Sequence, residues 1–115
     1  MTKKDTIELV KKALNLKLNS KNTVMILIND DNIWMSKFTQ EKKHHKLYIL
    51  LNNSISKNIH VFEIPANHFV YNLLYDKPFN ENNFVLWFDV NDEVFIERFS
   101  YFNFNRFLKW SINYE

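Results

Sequence analysis

The chain has no glycine in its 115 residues. Any turn that needs positive φ must therefore use a residue with a Cβ. Asn and Asp do this at least cost, because their short side chains bond to nearby backbone. Asn is abundant, and Asn/Asp clusters at 29–32, 52–58 and 76–83 mark the expected turns and loops. The same absence argues against phosphate-cradling loops, which bring backbone close to the ligand and use glycine to do so. Asn, Lys, Ile and Phe are together also the residues that an AT-rich coding sequence favours.

Residues 84–99, FVLWFDVNDEVFIERF, set the expected architecture. Phe84, Val85, Leu86, Trp87 and Phe88 form an apolar run without alternation, which predicts a central strand covered on both sides. The polar residues 89–93 read as a hairpin turn. In the second arm Val94 and Ile96 share a face with Arg98, while Phe95 and Phe99 share the other with Glu97, a pattern suited to a strand near an edge.

A chain of this length is expected to form a single compact domain over residues 1–115. Its 46% hydrophobic and 17% aromatic content is far above that of a disordered segment. No apolar run approaches the roughly 20 residues of a membrane span, and the first ten residues carry acids and lysines where a signal peptide is apolar. With no cysteine there is no disulfide, thiolate metal site or thiol catalysis. The expected location is cytoplasmic, with no membrane association. Net charge is only +2 but unevenly spread, with 11 lysines against 5 acids in residues 1–57 and 4 basic residues against 8 acids in residues 58–115. Such asymmetry can attract a charged partner, though its more ordinary meaning is a solvated basic helix and loop.

Taken in order, residues 5–18 predict an amphipathic helix capped by Asp5 with Glu8 three positions on. Strands follow at 24–28 and 33–38, the second returning antiparallel to the first. Residues 39–46, TQEKKHHK, read as an exposed basic loop, before strands at 47–51 and 59–64. Pro65 ends the last of these, and Asn67 caps a short helix carrying Phe69, Val70, Leu73 and Leu74. The hairpin comes next, and then a terminal helix capped by Asn103 and running to about Ile112. The fold class is α+β, with a mainly antiparallel sheet of about six strands and about three helices in the order α-β-β-β-β-α-β-β-α.

No catalytic constellation, metal site or cofactor site emerges. His44 and His45 sit among lysines that repel a cation, and His60 and His68 have no zinc spacing. Asp30 and Asp31 are adjacent in a turn, and Asp89, Asp92 and Glu93 lack the ligand ladder of a calcium loop. The aromatic and basic C-terminal segment is the leading candidate for partner binding, through Tyr101, Arg106, Lys109, Trp110 and Tyr114. The expected function is that of a small, non-enzymatic binding protein directed at another protein, an inhibitor or accessory factor of the kind carried by phages or mobile elements. The rival is nucleic-acid binding through Lys37, Lys42, Lys43 and Lys46. A third reading is a metal-dependent nuclease using Asp30, Asp31 and Glu63. The element order loosely resembles restriction-endonuclease-like cores. Of their Glu-x-Lys or Asp-x-Lys strand motif, the strand 47–52 lacks the acid, Pro65 stands where lysine belongs after Glu63 and Ile64, and Glu41-Lys42-Lys43 has the spacing but falls in an expected loop.

Overall fold

The computed structural model describes residues 1–76, 82–91 and 94–114. Two expected features, the loop over residues 77–81 and the Asp92–Glu93 part of the hairpin turn, lie outside them. The elements are α1 (Lys3–Leu14), β1 (Thr23–Leu27), β2 (Ile33–Thr39), β3 (Leu47–Asn53), β4 (Asn58–Ile64), β5 (Tyr75–Asp76), β6 (Asn83–Asp89) and β7 (Leu108–Asn113). One sheet has the order β1-β3-β4-β7 and the other β2-β6-β5. The β1–β3 pair is parallel, and all other pairs are antiparallel. The fold is thus α+β and mostly sheet. It has one α-helix among the described residues rather than three, the rest being short 3-10 turns.

Alternation along the strands builds three layers: helix, four-stranded sheet, three-stranded sheet. Leu47, Ile49 and Leu51 of β3 point to the same side as Val24, Ile26, Phe62 and Ile64, and pack against Trp34, Phe38, Phe84, Leu86 and Phe88 of the second sheet. Tyr48 and Leu50 point the other way, joining Met25, Ile59 and Val61 beneath Val10 of α1. The strand covered on both faces is therefore β3. The run 84–88 is central in its own sheet, but its outer face carries Trp87, which is only half-buried.

α1 begins earlier than expected. Thr2, not Asp5, is the cap: its Oγ1 accepts from the Asp5 amide at 3.0 Å, and the Asp5 carboxylate accepts from the Thr2 amide at 3.3 Å. The Thr2 backbone bond and the Thr2 hydroxyl hold the Asp5 pKa below the usual carboxylate value. Asn15 closes the helix in the left-handed region at φ 55°. Asn32 and Asn67 also take positive φ, as do Lys57 and Tyr101.

Four further expectations are corrected. β2 does not return along β1 but crosses to the second sheet, while β1 pairs with β3. Residues 69–72 form a 3-10 turn rather than an α-helix, and residues 40–44, read as a loop, form another. The terminal helix is a 3-10 turn over Phe104–Phe107, followed by β7. Asn103 does cap that turn, accepting from the Asn105 amide at 2.9 Å. Leu108, Trp110 and Ile112, however, alternate with exposed Lys109, Ser111 and Asn113, so period two prevails over period 3.6.

Asn52 is fully buried on the helix side of β3. Its Nδ2 donates to Thr6 Oγ1 at 3.0 Å, and its Oδ1 accepts from the Tyr114 hydroxyl at 2.6 Å. Its carbonyl accepts from Trp34 Nε1 at 3.0 Å, which ties the second sheet to the first.

Two core groups lead to predictions. The buried Tyr71 hydroxyl has no hydrogen-bond partner among the described residues, and burial pushes its pKa up. Tyr71→Phe keeps the ring stacked on Phe84 and removes the unsatisfied oxygen. It should raise stability in chemical denaturation by about 1 kcal/mol, whereas a loss of that size would show that the hydroxyl is bonded. His60 packs between Trp34 and Phe95, with Nδ1 2.9 Å from the Ser111 hydroxyl. Burial lowers its pKa below 6.5. The unfolded chain therefore takes up that proton before the folded one does, and stability present above about pH 6.5 is lost as pH falls through the folded value. His60→Leu should lose less melting temperature between neutral and mildly acidic buffer than the parent. Equal losses would place the acid-sensitive group elsewhere.

Candidate functional site

The second arm of the expected hairpin is not a strand, and the reason lies in Glu97. Among the described residues β5 pairs with β6 at Phe84 and Val85, and no strand pairs with that edge of β6 at Trp87. Residues 94–102 pass along that edge. The Arg98 amide donates to the Trp87 carbonyl at 2.8 Å, and Glu97 Oε2 accepts from the Trp87 amide at 2.9 Å. The side chain thus supplies the acceptor that a neighbouring strand would have supplied. Oε2 also accepts from the Phe99 amide at 3.2 Å, and Oε1 from the Ser100 amide at 2.8 Å. Glu97 is 0% exposed.

Backbone bonds close the loop around this carboxylate. The Tyr101 amide donates to the Glu97 carbonyl at 2.8 Å, and the Glu97 amide to the Phe102 carbonyl at 2.9 Å. Closure requires Tyr101 to adopt φ 59°, and its side chain is 81% exposed. An aromatic residue is costly in that backbone region, and local structure supplies no return for its exposure. Phe99 packs on Trp87 with ring centroids 5.6 Å apart. Met35, directly opposite Trp87 on β2, is 50% exposed. At the other end of the loop, Phe102 meets Phe69 at 5.8 Å and carries the Arg106 guanidinium 4.8 Å above its ring. Phe69 is 55% exposed. Trp87, Phe99 and Met35 thus form an apolar patch on the uncovered side of the second sheet, beside the loop that Glu97 fixes, while Phe102 leads back to the inter-sheet core through Phe104 and Phe107.

The five predicted partner-binding residues are not brought together. Tyr101 stands exposed on the Glu97 loop, and Arg106 lies over Phe102. Trp110 and Tyr114 instead face α1 as partly buried members of the helix-side cluster, and Tyr114 is engaged with Asn52. Lys109 is exposed where the β4–β7 register shifts. Sequence reasoning missed Met35, Trp87, Glu97 and Phe99 as members of one surface. The available signal was Glu97 itself, an acid among Phe95, Ile96 and Phe99.

Of the predicted nucleic-acid residues, Lys37 stands across from Val85 on the outward side of β2, and Lys46 is exposed. Lys43 is half-buried, and its carbonyl accepts from the Asn67 amide at 2.7 Å. Lys42 turns inward, its ammonium donating to the Ser20 carbonyl and, at 2.9 Å, to the Thr23 carbonyl. Burial lowers its pKa. The expected nuclease acids do not converge either. Asp30 and Asp31 lie in a turn held by Asn29 Oδ1 near the Leu27 end of β1. Glu63 pairs with Tyr48 at the opposite end of that sheet. Among the described residues no group of three or more His, Asp or Glu side chains is placed to hold a metal ion.

Comparison of the chain with protein families, with curated proteins and with solved structures found no match.

Proposed function

We propose that the chain is a binding protein of the cytoplasm, an inhibitor or accessory factor that engages a protein partner through the aromatic surface around the Glu97-braced loop. The carrying observation is Tyr101. A bulky ring is held out into solvent from left-handed backbone, and a fully buried carboxylate is committed to keeping the loop in that shape. Exposed aromatics beside an arginine are the residue types that dominate protein interfaces, and a pre-shaped loop loses little entropy on binding. Among the described residues no helix is long and apolar enough to cross a membrane.

The test separates binding from folding. Asn tolerates left-handed backbone better than Tyr, so Tyr101→Asn should melt at or slightly above the parent temperature. In affinity capture from the source cells, the parent chain should retain a partner that Tyr101→Asn and Met35→Ser lose, while Lys57→Ser keeps it. Undiminished capture by the Tyr101 and Met35 variants would refute the reading.

A further inference from the structure

The strongest feature outside that surface is a pair of adjoining open depressions at the end of the layers where β1 and β3 begin. One, of about 480 Å³, is lined by Ser20, Lys21, Lys42, His44 and His45, with Glu41 and Thr39 at its side. The other, of about 610 Å³, includes Lys17, Lys21, Asn22, His45, Lys46 and Tyr48. Lys21 and His45 line both. Four lysines therefore converge from two separate segments, residues 17–22 and 42–46, with Glu41 at the side of one depression and Glu63, the partner of Tyr48, beside the other.

These cations are presented by ordered backbone. Asn19 Oδ1 accepts from the Lys21 and Asn22 amides at 2.9 and 3.0 Å, and Asn22 Oδ1 accepts from the Asn19 amide at 2.8 Å. Asn22 Nδ2 donates to the Lys17 carbonyl at 2.9 Å. Lys42 ties this turn to the 3-10 segment through the Ser20 and Thr23 carbonyls. Nδ1 of His44 lies 3.0 Å from Asn67 Oδ1, which fixes that ring as well. The local charge faces no ion-paired acid: among the described residues the ion pair found is Lys11 with Glu8, on α1. A cleft in which four lysines outnumber two carboxylates is suited to successive phosphates of one chain, since each neutralised phosphate releases counterions.

We infer that this cleft binds the phosphate backbone of a nucleic acid, with Lys17, Lys21 and Lys46 as the phosphate contacts and Lys42 as the internal tie that shapes it. The site lies apart from the aromatic loop. The Gln40 amide donates to Asn82 at 2.7 Å, so the basic end adjoins the start of β6, whereas the loop flanks Trp87 farther along that strand. A protein and a nucleic acid can therefore be held at once, and either site can fail without the other.

The test is fluorescence anisotropy of the full chain with a labelled single-stranded RNA and a labelled duplex DNA. At low salt at least one should bind, and for three phosphate contacts log affinity should fall against log salt with a slope of about −2 to −3. Lys17→Glu, Lys21→Glu and Lys46→Glu combined should weaken binding roughly tenfold or more, with the melting temperature unchanged. Lys21→Gln should give a smaller loss in the same direction, and Lys57→Glu no loss beyond that expected from overall charge. The RNA and DNA arms identify which polymer is preferred. Absence of binding to both at low salt, full binding by the triple variant, or competition by polyglutamate as effective as that by unlabelled nucleic acid would each overturn the assignment.

Discussion

Replacing Glu97 with leucine is expected to destabilise the protein by about 3–5 kcal/mol, because amide donors lose the acceptor they share inside the protein. The amides of Trp87, Phe99 and Ser100 all point at this carboxylate. Water can reach the loop amides once the loop opens, but the Trp87 amide lies within β6, where no strand among the described residues pairs with it on that edge. Glu97→Gln should fall between parent and leucine variant. It fits the space but must set an NH₂ against amides that need an acceptor. Chemical denaturation supplies the number, and a Leu penalty below about 1 kcal/mol would mean that the brace is dispensable. Both variants should also lose the partner captured by the parent, since Tyr101 is displayed only while the loop is closed.

The second large effect concerns tryptophan. Trp34 is 2% exposed, packs against His60 and Phe95, and donates to the Asn52 carbonyl. Trp34→Ala should cost about 3–5 kcal/mol, the usual range for deleting a buried large aromatic. Trp87, which the unbroken run over residues 84–88 marks as core, faces outward over Phe99, and its removal should cost less than half as much. Urea titrations of the two alanine variants decide the matter. Equal losses would show that the outer face of the second sheet is covered in solution.

What the sequence made legible was composition by element. The apolar runs at 24–28, 33–38, 47–51, 59–64 and 84–88 all became strands, because continuous or alternating apolar residues bounded by Asn and Asp leave few alternatives. Their partners were less legible. β1 and β2 read as a hairpin because their turn suits one, yet burying Trp34 and Phe38 against β3 and β4 requires β2 to belong to a second sheet. The segment 103–113 misled because Asn103 does cap a turn, and the helix signal at its start masked the alternation of Leu108, Trp110 and Ile112. Of the candidate sites, Tyr101 and Arg106 could be picked out as exposed aromatic and basic residues. The brace could not, because an acid that satisfies backbone amides in three dimensions looks in one dimension like an ordinary polar strand residue. The basic cleft was visible only as its 42–46 half. Its other half, Lys17 and Lys21, falls at the end of the expected helix and in the short connection before the first strand, where nothing in one dimension brings it to the 42–46 segment.

Asn52 is reached from both directions along the chain, by Thr6 near one end and by Tyr114 near the other. On the ribosome this imposes an order. α1, β1, β3 and β4 can assemble once Ile64 has emerged, but the outer edge of β4 has no strand beside it until residues 108–113 arrive to form β7. At roughly 5–20 residues per second, that edge stays open for some seconds of synthesis. Throughout that interval its unpaired amides and carbonyls are a template for any extended segment nearby. The nascent chain is therefore most open to chaperones, and to mispairing with its own copies, just before β7 emerges.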